Sequence, residues 1–207
     1  MASNDYRFVT HWRVFGTVEE ISEVLSRPED YPRWWPAVYL SAREVAPGNG
    51  NGEGRTVALV TTGWLPYTLD WTLRVTESRA PLGFAFEATG DLVGRGRWEL
   101  ESAGSAGVDV TLHWEVRADK RLIAAVSPAL RPVFAANHRW AMRRGEVSLV
   151  LELARRRAAT PEDRARVPFP PGPSRTALPA LAAGAAAVVL IGAAVRRISR
   201  AWRTSRS

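Results

Sequence analysis

Between residues 6 and 117, apolar and polar residues alternate in seven runs separated by turn-forming residues. A period of two with one apolar phase predicts strands that bury one face and solvate the other. In the first run, residues 6–15, Tyr6, Phe8, Thr10, Trp12 and Val14 share one face, while Arg7, His11 and Arg13 share the other. Six further strands are expected at 38–45, 55–62, 67–75, 82–89, 92–101 and 108–117. The connections hold Gly63, Pro81, Gly90-Asp91 and the Gly104–Gly107 stretch, and such short links join antiparallel neighbours.

Two short helices interrupt the series after the first strand. Gly16 ends that strand, and Thr17 with Glu20 three residues later forms a capping box, turning Ile21, Val24 and Leu25 inward. Pro28 opens a second helical stretch that Pro36 closes, carrying the adjacent pair Trp34 and Trp35. That pair either wedges the helix against the sheet or forms the mouth of a cavity. The glycine-rich loop at 47–54 does not follow the G-x-x-x-x-G-K-[ST] pattern, and a strand follows it, so a phosphate cradle is not expected.

The period changes to 3.6 in the stretch 127–157. Ser127 and Pro128 are a helix-start signal, but Pro132 follows too soon for one regular helix. A separate turn is therefore expected at 120–126, with the helix proper beginning near Arg131 and running uninterrupted to Leu153, about 35 Å at ~1.5 Å per residue. Arg139, Arg143 and Glu146 mark its solvated side. Leu130, Phe134, Asn137, Ala141, Gly145 and Ser148 lie opposite. Gly145, with Gly94 and Gly96 from the sheet, is expected to face a common space between sheet and helix, with close packing as the alternative.

The strand phases decide the chemistry. One phase collects Trp12, Trp71, Phe84, Phe86, Trp98 and Trp114 with aliphatic residues. The other collects Asp70, Arg74, Glu87, Arg97, His113 and Glu115, which read as cross-strand pairs on a solvated face. General acid–base catalysis needs a titratable group inside the pocket. The strands supply none, and the helix supplies Asn137, with His138 on its flank. No catalytic residues are assigned. An aromatic interior with few polar groups is the profile of a small-molecule or lipid site, although the same tryptophans could fill a solid core. The candidate ligand-binding residues are Trp12, Trp71, Phe84, Phe86, Trp98, Trp114, Phe134, Asn137 and Ala141.

Composition narrows the classes further. The chain has no cysteine and only three histidines, which excludes thiolate metal sites and disulfides and leaves no histidine-rich metal site. No metal or cofactor is expected. The net charge of +7 is uneven: from Arg155 onward there are eleven arginines against two acids. The basicity belongs to the tail, so no nucleic acid is expected as a partner. The first twenty residues lack the uninterrupted apolar core of a signal peptide, which points to a cytoplasmic domain.

Three stretches, FVTHWRV at 8–14, YPRWWP at 31–36 and NHRWAMRRGE at 137–146, together with the element order, resemble the SRPBCC superfamily. Within it the chain looks like the polyketide cyclase/dehydrase and lipid-transport group, over about residues 5–155. The resemblance implies an α+β helix-grip fold, a START-like antiparallel sheet of about seven strands wrapped on a long C-terminal helix. It implies binding, transfer or chaperoning of a hydrophobic small molecule or lipid, with a cyclase or dehydratase as the alternative. A membrane-tethered interaction module with a solid core is the third reading.

The chain divides into a domain at 1–157, a proline-rich linker at 158–176, an uncharged segment at 177–195 and a basic tail at 196–207. The nineteen residues of the uncharged segment meet the length of a membrane span, so a C-terminal transmembrane helix is expected, with the membrane as a partner. Only seven of them are Leu, Ile or Val, so insertion is favourable by a small margin. Arginines flank both ends and leave its orientation open.

Overall fold

The computed structural model describes residues 5–118 and 131–174. Seven strands form one fully antiparallel sheet: β1 Asp5–Val14, β2 Tyr39–Ala46, β3 Thr56–Thr62, β4 Thr68–Ser78, β5 Gly83–Gly90, β6 Leu92–Ser102 and β7 Val108–Ala118. Their order is β1-β7-β6-β5-β4-β3-β2. Strands β2 to β7 meander in sequence order, through a nine-residue loop at 47–55 and then shorter turns, whereas β1 pairs with β7 at the opposite edge from β2. Helices α1 (Val18–Leu25) and α2 (Tyr31–Trp34) make that long connection, and α3 (Arg131–Arg157) packs against β1, α1 and α2.

The alternation sorts the two faces as expected. Trp12, Trp71, Trp98 and Trp114 are all buried in one cluster with Leu73, Phe86 and Leu112. On the other face a single row crosses five strands with alternating charge: Arg74 opposite Glu87, Glu87 opposite Arg95, Arg95 opposite Glu115, and Glu115 opposite Arg7. Arg95 reaches Glu115 at 2.7 Å. Each such exposed pair contributes only about 0.2–1 kcal/mol, so the row specifies which face is wet more than it stabilises the sheet.

The capping box forms as read: the Thr17 hydroxyl accepts from the Glu20 N–H and the Glu20 carboxylate from the Thr17 N–H. Among the described residues the long helix covers Arg131–Arg157. Its inner face contains the expected Phe134, Asn137, Ala141, Gly145 and Ser148 and is wider than that stripe. Met142, Gly145, Ser148, Leu149, Glu152 and Leu153 are buried, so the inner stripe includes a carboxylate. Glu152, 2 % exposed, accepts both guanidinium nitrogens of Arg33 at 2.8 and 2.9 Å and the Nε of Arg156 at 2.8 Å. This triad clamps α2 to α3.

Other expectations are corrected. Leu82, which opens the strand expected at 82–89 in phase with the inward Phe84 and Phe86, lies before β5 and is 58 % exposed. Gly94, Gly96 and Gly145 do not share an open space, because each is in close contact with a different neighbour. A Cβ on Gly94 would lie 2.0 Å from the Glu115 carbonyl oxygen, on Gly96 2.2 Å from the Phe86 ring, and on Gly145 2.3 Å from the Trp35 indole. Within 158–176, read as an extended linker, Thr160 caps a short helix α4 (Pro161–Arg166), and Arg155 bonds back to the carbonyls of Val167 and Pro168. The turn at 120–126, the helix-start pair Ser127-Pro128, Leu130, the uncharged segment 177–195 and the tail 196–207 lie outside the described residues. Among the described residues, no helix is long and apolar enough to cross a membrane.

Candidate functional site

Between α3 and the inner face of the sheet lies a cavity of about 170 Å³. Strand alternation brings Trp71, Phe86, Trp98 and Trp114 to its wall, and the helical repeat brings Phe134, Asn137 and Ala141 from α3. Seven of the nine candidate residues therefore line one space. Trp12 and Phe84 do not. Trp12 stands behind the wall, packed on Trp35 at 5.7 Å and Trp98 at 5.2 Å between ring centres. Phe84 lies beside Phe86 at 6.0 Å but lines a separate surface depression with Arg97.

The walls are held from behind. The Trp71 indole N–H donates to the Thr61 hydroxyl at 3.0 Å, and the Trp114 ring packs against Phe86 at 5.3 Å and Trp71 at 6.0 Å. The Phe86 ring occupies the room that Gly96 leaves by having no side chain. Trp34 and Trp35 are both buried, which is the wedge reading, and Trp35 also reaches the cavity lining.

Asn137 has a structural partner. Its Oδ1 accepts the backbone N–H of Trp64 at 2.9 Å and of Leu65 at 3.4 Å, which ties α3 to the β3–β4 loop. Gly63 makes this approach feasible, since a Cβ there would lie 2.2 Å from that oxygen. The two donors fix Oδ1 as the acceptor and leave Nδ2 as the donor end of the carboxamide.

His138, Tyr6, Tyr39 and Tyr67 also line the cavity but were not among the candidate residues. His138 stacks on Phe8 with ring centres 4.1 Å apart, and its Nε2 lies 3.4 Å from the Thr10 hydroxyl. Burial, reinforced by Arg139, pushes the His138 pKa down to about 4. Burial, with Tyr6 adding to it, pushes the Tyr67 phenol up to about 12, and burial raises Tyr39 further still. At neutral pH these groups are uncharged. Among the described residues the lining contains no Asp, Glu, Lys or Arg, and no cluster of three metal-binding side chains exists. The signal for His138 was present in the sequence: Phe134, His138, Ala141, Met142 and Gly145 form one helical stripe at spacings of three and four.

A family model for polyketide cyclase/dehydrase and lipid transport matches residues 17–143. The chain belongs to this family. The match runs from the α1 cap to the middle of α3 and includes most of the cavity lining. Among curated protein sequences none matches the chain. Solved structures share the family's helix-grip fold at low identity. The Zhui aromatase/cyclase from Streptomyces sp. R1128 superposes with a TM-score of 0.59 at 17 % identity, over 75 % of this chain and 97 % of that one. The di-domain ARO/CYC StfQ from the steffimycin biosynthetic pathway gives 0.54 at 16 % identity, over 75 % of this chain and 52 % of the longer StfQ. A START superfamily protein from Mycobacterium smegmatis gives 0.53 at 14 % identity, over 69 % and 94 %.

Proposed function

We propose that this domain binds a hydrophobic small molecule or lipid in the cavity under α3. The observation that carries the reading is the cavity itself, walled by Trp71, Phe86, Trp98 and Trp114 and, among the described residues, without a charged side chain. A preformed apolar space with a few polar atoms is what a ligand site needs and what a solid-core interaction module would not retain. Native mass spectrometry of the full chain, purified from its own host and followed by extraction, tests it. A stoichiometric apolar compound is the expected result, and a chain that carries none and takes up no apolar probe refutes the reading.

The alternative, a cyclase or dehydratase acting on a polyketide-like substrate, gains one specific observation. His138 places an imidazole, the side chain most often used for proton transfer, in the lining, although burial makes it a weak base. Turnover of an aromatic polyketide precursor that is lost in His138→Gln while binding persists would favour this reading.

The proposal extends to location. Residues 177–195 would anchor the chain in a membrane and hold the domain on its cytoplasmic side, raising the concentration of the cavity near bilayer-dissolved ligand.

A further inference from the structure

Ligand sites for drug-sized molecules enclose roughly 300–1,000 Å³, while a cavity of about 150 Å³ holds a benzene. At about 170 Å³ the space under α3 belongs near the lower of these scales. Its walls are poorly able to yield. Trp71 is tethered by its N–H to Thr61, Trp114 is braced by both Phe86 and Trp71, and Phe86 already fills the room above Gly96. Widening the cavity means displacing buried indoles that sit in mutual contact, so the size limit is enforced by the core and not only by the momentary position of one side chain.

Charge adds a second limit. Among the described residues the lining holds no Asp, Glu, Lys or Arg, and Tyr31, Tyr39, Tyr67 and His138 are neutral at physiological pH. An ionised ligand would leave water without gaining a counter-charge, and an unpaired buried charge is strongly disfavoured. The polar atoms left open are few. The Tyr67 hydroxyl and Asn137 Nδ2 have no protein partner among the described residues, and both residues face the same cavity.

We propose that the ligand is a neutral, flat molecule of one or two aromatic rings with a hydroxyl or carbonyl group, and not a fatty acid, a phospholipid or a four-ring aromatic. This rests on the binding reading above and narrows it. The aromatic walls offer ring faces for stacking, and Tyr67 and Asn137 offer hydrogen bonds to one polar substituent.

The test is calorimetric titration of the full chain at pH 7 with 2-naphthol, 2-naphthamide, 2-naphthoate, oleate and a four-ring hydroxylated aromatic. The amide and the carboxylate have nearly the same shape, so their difference isolates charge. The expected result is that naphthol and naphthamide bind at least tenfold more tightly than the other three. If naphthoate matches naphthamide, the charge limit is wrong. If oleate or the four-ring compound binds as tightly as naphthol, the size limit is wrong. Either outcome overturns this inference and leaves the binding reading standing. If none of the five binds, both fall together. Met142→Ala supplies the complementary arm by removing one lining side chain. It should gain at least tenfold in affinity for a three-ring phenol, with a cooperative urea transition as the check that it is folded, and no gain in the folded variant overturns the size limit.

Discussion

Gly145 of α3 rests directly on the indole of Trp35, so closely that a Cβ at 145 would lie 2.3 Å from Cζ2 and 2.5 Å from Cε2. The indole cannot retreat easily, because Trp12, Trp34 and Tyr39 surround it with ring centres 5.7, 5.4 and 5.1 Å away. A glycine costs a helix interior about 1 kcal/mol relative to alanine, and here that loss gives α2 and α3 their contact. Gly145→Leu should therefore destabilise the protein by about 2–3 kcal/mol through overpacking. The check is a urea titration in which the midpoint falls and the slope is unchanged. A variant of unchanged stability that merely loses ligand would show that the site is open instead.

The buried triad gives a second prediction. Glu152 is held by Arg33 and Arg156, and removing the carboxylate leaves two guanidinium groups facing each other without it. Both arginines retain some solvent contact, so Glu152→Ala should cost about 2–4 kcal/mol, around the lower range for a broken buried pair. Burial alone would raise the Glu152 pKa, but the two arginines outweigh it and hold it below the ordinary value. Its stabilising contribution is therefore present above the unfolded carboxylate pKa and is lost as the pH falls through the folded one.

His138 predicts a pH dependence in a different window. Its pKa falls from 6.5 to about 4 on folding, so between those values the unfolded chain binds a proton that the folded chain does not. Stability must then decrease as the pH is lowered from 6.5 towards 4, and this contribution is fully present only above 6.5. His138→Gln should flatten the stability curve across that interval while leaving the more acidic loss from Glu152, and from Glu20 with its pKa near 2, in place. Denaturant midpoints of both proteins at half-unit pH steps would measure the difference. Parallel curves would mean that the imidazole is not buried as the structure has it.

The fold was legible because strand alternation is a local signal. The phase containing Trp71, Leu73 and Val75 reports burial within a few residues, as does the Thr17–Glu20 box. What failed depends on distant partners. Glu152 reads as a solvated charge until Arg33, 119 residues away, is placed against it, and Gly145 reads as spare room until Trp35 fills it. The inner face of α3 is therefore wider than the stripe read from the sequence, and His138, read as its flank, belongs to the wall. Cavity volume is harder still, since it is the remainder left by many side chains and no periodicity records it.

The tail carries a prediction independent of the cavity. If residues 177–195 span a bilayer, the full chain should pellet with membranes and resist both high salt and alkaline carbonate. Ending the chain after Arg157 should release the domain into the supernatant. Release of the full chain by salt alone would mean that the arginines, and not the apolar segment, make the contact.

Asn137 supplies the last prediction, because its oxygen is shared by two backbone donors of the loop at the cavity. Asn137→Ala removes the acceptor from the Trp64 and Leu65 N–H groups at once. Unpaired donors that are half-buried cost about 1–3 kcal/mol if they stay dry, less if the loop opens to water. The loop has the freedom to open, since among the described residues no other hydrogen bond holds the Trp64 or Leu65 N–H to α3. The variant should therefore lose about 1–2 kcal/mol of global stability, show faster amide exchange at Trp64 and Leu65, and release bound naphthol faster with a several-fold loss of affinity, since the Nδ2 donor is lost with the acceptor. Hydrogen exchange and stopped-flow tryptophan fluorescence separate the two effects. Asn137→Asp keeps an oxygen acceptor and should restore amide protection while weakening binding, because it brings a charge to a neutral cavity. If Asn137→Ala abolishes naphthol affinity with the loop amides still protected, the carboxamide is a ligand anchor and not the clasp of the loop.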